Sequence, residues 1–211
     1  MDRPKAGIRQ RVFAWALARF NRRYEEFAAK FKQRLLSGLA GTVVEIGPGT
    51  GANLRFFAPE RVKWIGVDPN PFMERYLRAE AARTGMRIEF HLGIAERLPV
   101  PDASVDAVVS TLVLCSTASQ EGALQEILRV LKPGGRLIFV EHVAAPRGTR
   151  LRILQDLLTP IWKRLGDGCE PNRETWARLE RAGFADVSYE RMTAPTFLVS
   201  PQIAGEARKA G

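Results

Sequence analysis

The stretch Val43-Val-Glu-Ile-Gly-Pro-Gly-Thr-Gly51 constrains this chain more than any other. A short apolar, β-branched run reads as a buried strand, and Gly47, Gly49 and Gly51 follow it at once. Glycine permits positive φ and close approach of backbone to a ligand, so a strand that empties into such a loop marks a nucleotide-type α/β unit. The spacing G-x-G-x-G lacks the third glycine placement of dinucleotide folds. Asn53 and Leu54 stand where a phosphate-binding P-loop needs Lys and Ser/Thr. A ligand with a ribose and no pyrophosphate fits best, with Asp68, at the end of the next strand, taking the ribose hydroxyls.

The rest of the chain supports a sheet of that kind. Val62–Asp68, Arg87–Gly93, Val105–Leu112 and Arg136–Val143 read as strands. Between them, helices are predicted from near Gly51, over Phe72–Thr84 and over Gln120–Leu131, the last with a capping box at Thr117 and Gln120. Helical patterns at about Arg150–Leu165 and in the segment from Arg173 to Phe184 precede late strands in the segments 185–192 and 196–208. The expectation is an α/β fold: a Rossmann-like, mainly parallel seven-stranded sheet with helices on both faces and the ligand beyond the carboxyl ends of the strands. The domain expectation is a basic amphipathic helix over residues 1–40, covering the active site at a membrane surface, followed by a catalytic domain over 41–211.

Charge sharpens the reading of the N-terminus. Of a net charge of +9, +7 falls within residues 1–40, ten basic side chains against Asp2, Glu25 and Glu26. A helix start is predicted at Asp2–Pro4. Phe13, Leu17, Phe20, Tyr24, Phe27, Phe31 and Leu35 then form one apolar stripe at helical spacing. A basic helix with an aromatic stripe suits an anionic bilayer interface, with arginine stems reaching to phosphates. No RNA-module signature accompanies these charges, so nucleic acid is not expected. No apolar run is long enough to span a bilayer, and the charged N-terminus does not read as a secretory signal. The localisation expected is cytoplasmic, peripheral on the inner face of the membrane. Cys115 and Cys169 lie far apart with no metal or redox spacing, so no metal is expected.

Four segments, VVEIGPGTGANL, IGVDPNPFM, GIAERLPVPDASVDAVVSTLVLCS and ILRVLKPGGRLIFVEHV, resemble the successive motifs of class I S-adenosylmethionine-dependent methyltransferases, in the right order over residues 43–143. The resemblance implies S-adenosyl-L-methionine as cofactor. It implies Gly47, Gly49 and Gly51 against the methionine part, Glu45 at its amino end, Asp68 on the ribose, and Pro69 and Met73 flanking the adenine. Ile94, Ala95 and Glu96 match the segment that reaches the adenine edge, and Thr111 and Leu112 the segment facing the sulfonium. Many relatives carry aspartate at the position of Ile94, which leaves the adenine amino group to Glu96 or to a backbone carbonyl.

TLVLCS, RVLKPGGRLIFVEHVAAP and DGCEPNRETWARLERAGF resemble the methyltransferase-like seven family, membrane-associated enzymes of thiol S-methylation. The core is also similar to bacterial phospholipid N-methyltransferases. The basic N-terminal helix favours the second likeness, so the acceptor expected is the ethanolamine headgroup of phosphatidylethanolamine, on the way to phosphatidylcholine. S-methylation of small alkyl thiols is the alternative. RNA and protein rank below both. His142 and Glu141, at the end of a strand, and Tyr24 are the candidate catalytic groups. Tyr24, His142, Arg150 and Asp167 are the candidate acceptor contacts, Arg150 for a phosphate and Asp167 for a cationic headgroup.

Overall fold

The computed structural model describes residues 7–211. Strands β1 (Gly41–Ile46), β2 (Val62–Asp68), β3 (Ile88–Leu92), β4 (Val105–Thr111) and β5 (Leu131–His142) are parallel. Two further strands, β6 (Asp186–Thr193) and β7 (Pro201–Arg208), pair antiparallel to each other, and β7 pairs antiparallel to β5. The order β3-β2-β1-β4-β5-β7-β6 makes one mixed seven-stranded sheet. Its direction of winding reverses between β1 and β4, and an open sheet binds its ligand at such a switch point.

Helices cover the sheet: α1 (Ile8–Phe20), α2 (Arg22–Leu36), α3 (Glu74–Thr84), α4 (Gln120–Val130), α5 (Arg150–Leu165) and α6 (Thr175–Arg181). Two apolar clusters fill the interior, one holding Val44, Val108, Leu124 and Phe139, the other Val43, Trp64, Leu77 and Val109. Adjacent strand residues such as Val43 and Val44 thus serve opposite faces, as the pleat requires.

Several local expectations need correction. The helix expected near Gly51 is only a short 3₁₀ turn, Leu54–Phe56. Pro59 disfavours helical backbone at Ala58, and Phe56 and Phe57 turn into the core instead. The cap of α4 is Ser119, whose Oγ accepts from the Gly122 amide at 3.0 Å. Thr117 instead donates to the Leu114 carbonyl, and the Gln120 amide reaches inward to the Leu114 carbonyl and to Thr175 Oγ1.

The single long N-terminal helix divides at Asn21, whose side chain bonds Glu25 Oε1 at 3.1 Å. Asparagine competes with the helix for local hydrogen bonds, which weakens a helix interior. The helix start expected at Asp2–Pro4, with Arg3 and Lys5, lies outside the described residues.

The apolar stripe is shared out by this division. Tyr24, Ala28, Phe31 and Leu36 of α2 are buried, with Phe31 against Val140 and Ala204 of the sheet. Lys32, counted among the surface charges, is 1% exposed and pairs with Glu25 at 2.8 Å. In α1, by contrast, Ile8, Val12, Trp15 and Phe20 face solvent. Phe20 is 69% exposed and Phe31 6%. Substituting each by serine therefore has opposite consequences. Phe31→Ser is expected to cost about 3–5 kcal/mol, the usual loss for a buried aromatic, or roughly 10 °C in melting temperature for a domain of this size. Phe20→Ser should leave the melting curve in place. Calorimetric melting of the two variants checks both.

Candidate active site

The loop after β1 is shaped for contact with a ligand. Gly47 and Gly49 both hold φ of +54°, a left-handed conformation. A Cβ at Gly47 would stand 2.6 Å from a Val113 methyl, so only glycine fits there. The Gly49 amide donates to Asp68 Oδ2 at 3.1 Å and the Asn70 amide to Oδ1 at 2.8 Å, which ties the loop to the end of β2. Burial pushes the Asp68 carboxyl up to about 6, against the pull of these two amides. Glu45, 1% exposed, accepts from Asn53 Nδ2 at 2.8 Å and from Trp64 Nε1 at 3.0 Å. Burial still raises its carboxyl to about 7.

A cavity of about 290 Å³ opens over this floor. Pro69 and Met73 line one side, and Thr111 and Leu112 form the wall beyond β4. Leu112 holds φ of +58°, strained backbone for a leucine, of the kind that collects at functional sites. Phe13 and Leu17 of α1 form the roof, while Trp162 of α5 and Asp167 just after it close the far side. Asn70 fastens α1 by donating to the Gln10 carbonyl at 3.1 Å, and its amide lies 3.4 Å from Asp167 Oδ2.

Opposite the Asp68 side stand Cys115, His142 and Cys169, all buried and all lining the cavity. His142 Nε2 lies 2.9 Å from Cys169 Sγ, and Trp162 Nε1 donates to that sulfur at 3.1 Å. Hydrogen bonds from Cys115 and Trp162 hold the Cys169 thiol below its ordinary range, while burial pushes Cys115 well above it. The absence of a metal or redox spacing in the sequence does not carry over to space, where the two cysteines meet.

A larger cleft of about 640 Å³ lies elsewhere, lined by Arg147, Arg152 and Arg173 with Glu170 and Glu174. The guanidinium groups of Arg147, Arg152 and Arg173 are bound to Glu174 and Glu170, and the cleft shares no residue with the glycine loop.

Residues 44–139 match the model of a methyltransferase domain. Human thiol S-methyltransferase TMT1A is 42% identical over 96% of this chain and 88% of its own length. Rat thiol S-methyltransferase TMT1B is 44% identical over 80% of this chain and 70% of its own. The chain belongs to the methyltransferase-like seven family of S-adenosylmethionine-dependent methyltransferases. The fold also matches a SAM-dependent methyltransferase from Aquifex aeolicus, with a TM-score of 0.64 at 20% identity over 94% of this chain and 97% of the other. The YcgJ protein of Bacillus subtilis gives 0.63 at 18%, over 87% and 97%. S-Adenosylmethionine is thus the cofactor, and the site fits it. The glycine cradle leaves room that a Cβ would fill, and buried carboxylates wait at two points of the cavity wall.

In this methyltransferase the fold gathers many of the residues expected from sequence around one cavity: Glu45, Gly47, Gly49 and Asp68; Pro69 and Met73; Thr111 and Leu112; His142 and Asp167. Others stand apart from it. Gly51 shapes the turn by donating its amide to the Pro48 carbonyl. Ala95 belongs to the core, Ile94 is 48% exposed, and Glu96 accepts from the Ser119 amide at 3.0 Å. Arg150 is exposed at the start of α5, away from the cavity.

Two candidate catalytic groups also need correction. Glu141 lies beneath the cavity, where its Oε1 takes bonds from Ser110 Oγ at 2.6 Å and from the Val113 and Leu114 amides at 3.1 and 3.2 Å. It therefore fixes the loop after β4. Tyr24 is buried and donates to Gln202 Oε1 at 3.1 Å. Burial holds its hydroxyl far above the usual phenol range, and the side chain does not line the cavity.

Phe13, Leu17, Asn53, Asn70, Trp162 and both cysteines were not singled out as site residues from sequence. The cysteines had one signal available, since Cys115 follows β4 and Cys169 follows α5, on the carboxyl edge where such sheets bind ligands.

Proposed function

We propose that this enzyme transfers a methyl group to the sulfur of small apolar thiols at a membrane surface. The observation that carries the reading is the 42% identity to a thiol S-methyltransferase along 96% of the chain. The chemistry of the cavity agrees with it. The walls are largely apolar, and the end away from Asp68 carries two thiols and an imidazole. Bound S-adenosylmethionine supplies a methyl group activated on a sulfonium. Asp68 is assigned to the ribose hydroxyls and Glu45 to the amino group. Phe13, Leu17 and Trp162 exclude water from the transfer and favour apolar acceptors.

N-methylation of a phospholipid headgroup, favoured from the basic N-terminal helix, has less support. A phosphate in the cavity would need a free cation. Among the described lining residues the one Lys or Arg is Lys32, already bound to Glu25.

The membrane part of the proposal rests on exposed apolar surface. Ile153, Leu157, Ile161 and Leu165 form a stripe along the outer side of α5, each at least 60% exposed. Both α5 and α1, with its exposed Trp15 and Phe20, contribute to the rim of the cavity. Exposed apolar side chains on these two helices, with Arg150 and Arg164 on α5, suit an interface from which hydrophobic thiols partition into the site. Among the described residues no helix is long and apolar enough to cross a membrane.

Methyl-labelled cofactor offered with an alkyl thiol or with phosphatidylethanolamine vesicles tests the acceptor. Label is expected on the thiol, with KM falling as the alkyl chain lengthens. Label on the lipid alone would reverse the assignment.

A further inference from the structure

We propose that Cys115, His142 and Cys169 form a three-ligand seat for a thiophilic divalent cation, zinc in the first instance, whose fourth position faces the cavity and takes the acceptor sulfur as a thiolate. This rests on the thiol reading above and adds to it the device that holds and deprotonates the acceptor.

The ligand atoms of the three side chains all lie within 4.8 Å of one another. Zinc–sulfur and zinc–nitrogen bonds of about 2.3 and 2.0–2.1 Å put tetrahedral ligands roughly 3.5–3.8 Å apart. Closing the cluster onto a cation thus needs side-chain shifts of about 1 Å, with no rearrangement of the sheet. The donor set, two sulfurs and an imidazole, is one that zinc binds and that magnesium or calcium does not. Three protein ligands leave a fourth place, which is the arrangement of catalytic rather than structural zinc. All three residues line the cavity, so that place opens toward the acceptor.

The surroundings fit a metal better than a resting pair of thiols. His142 is 3% exposed, and its Nδ1 has no hydrogen-bond partner among the described residues. Trp162 Nε1 already donates to Cys169 Sγ, the kind of outer bond that steadies a metal thiolate. Two thiolates around a dication sum to zero charge before the acceptor binds, and the acceptor thiolate brings the total to −1, which the positive sulfonium of the bound cofactor offsets. A thiol entering the fourth place loses its proton to water as its sulfur lone pair binds the cation. The bound thiolate keeps a second lone pair for attack. No side-chain base is then required at the acceptor, in keeping with the placement of Glu141 and Tyr24 outside the cavity.

Cobalt is the probe, since its tetrahedral thiolate complexes have intense visible absorption. Full-length protein, reduced and stripped with chelator, is expected to bind one equivalent of Co²⁺ with that spectrum. Zinc should displace the cobalt. An alkyl thiol added without cofactor should shift the bands. Cys169→Ser and Cys115→Ser should each weaken cobalt binding at least a hundredfold, while circular dichroism and S-adenosylmethionine affinity stay near wild type as proof of folding. Failure of the wild-type protein to retain cobalt through gel filtration overturns the seat, as does a Cys115–Cys169 disulfide forming in its place. Cobalt bound but indifferent to added thiol overturns the acceptor role. Thiol methylation undiminished in chelated protein also overturns the proposal, and leaves the thiol reading standing. Label found only on an amine acceptor would instead strike the thiol reading itself.

Discussion

Asp68→Asn is expected to lower S-adenosylmethionine affinity about 30- to 100-fold, with little loss of fold. The carboxylate accepts from the amides of Gly49 and Asn70, one to each oxygen. Asparagine offers one acceptor, so its NH₂ must face one of these buried donors. The glycine cradle loosens, and the charged acceptor assigned to the ribose is lost. Hydrogen bonds to a charged group are worth about 1.5–3 kcal/mol, and each 1.4 kcal/mol is about tenfold in affinity.

A pH dependence follows from the same burial. The carboxyls of Asp68 and Glu45 are held up to about 6 and about 7, in both cases first by desolvation. The folded chain therefore holds their protons more tightly than the unfolded chain does. Each group costs the free enzyme stability as the pH rises from the ordinary carboxylate range through these values. The charged forms are the ones assigned to the ribose and to the amino group of the cofactor. Affinity should thus rise between about pH 5 and 8 and then level off. Calorimetric titration across this range checks it. An affinity that is flat, or that falls with rising pH, contradicts the assignment.

Glu141→Ala is expected to be the most damaging single change to the fold outside the apolar core. It strands three donors at once, Ser110 Oγ and the amides of Val113 and Leu114, at the point where β4 turns into the cavity wall. Leaving buried donors unpaired costs about 1–3 kcal/mol each. Relaxation of the loop recovers part of this, so a net loss of roughly 3–4 kcal/mol is expected, or about 6–16 °C in melting temperature at 2–4 °C per kcal/mol. Glu141→Gln keeps one oxygen in place and should lose less than half as much. A catalytic Glu141 would give the opposite pattern, with turnover abolished in both variants and melting unchanged. Differential scanning calorimetry beside a turnover assay separates the two accounts.

The alternation of strands and helices was legible in the sequence because parallel strands buried on both faces read as continuous apolar runs. The glycine loop and Asp68 were legible because their chemistry is local. What escaped was relational. A single apolar stripe at helical spacing does not say that Phe31 will meet the sheet while Phe20 meets solvent. That division depends on Asn21 and on what lies across from each turn. Cys115, His142 and Cys169 are spread evenly along the chain and meet only because β4 and β5 are neighbours and the turn after α5 comes back over their ends. One distinction was available and unused. Glu141 and His142 are adjacent on a strand, and adjacent side chains point to opposite faces, so only one of the two can face a cavity.

The most direct test of the account uses one amphiphilic acceptor that carries both a thiol and a primary amine. Incubated with the enzyme and S-adenosylmethionine, it lets sulfur and nitrogen compete within a single bound molecule, and mass spectrometry of the product locates the methyl group. The account predicts methylation on sulfur, with the amine untouched. Methyl on nitrogen, with the thiol left free, would contradict it.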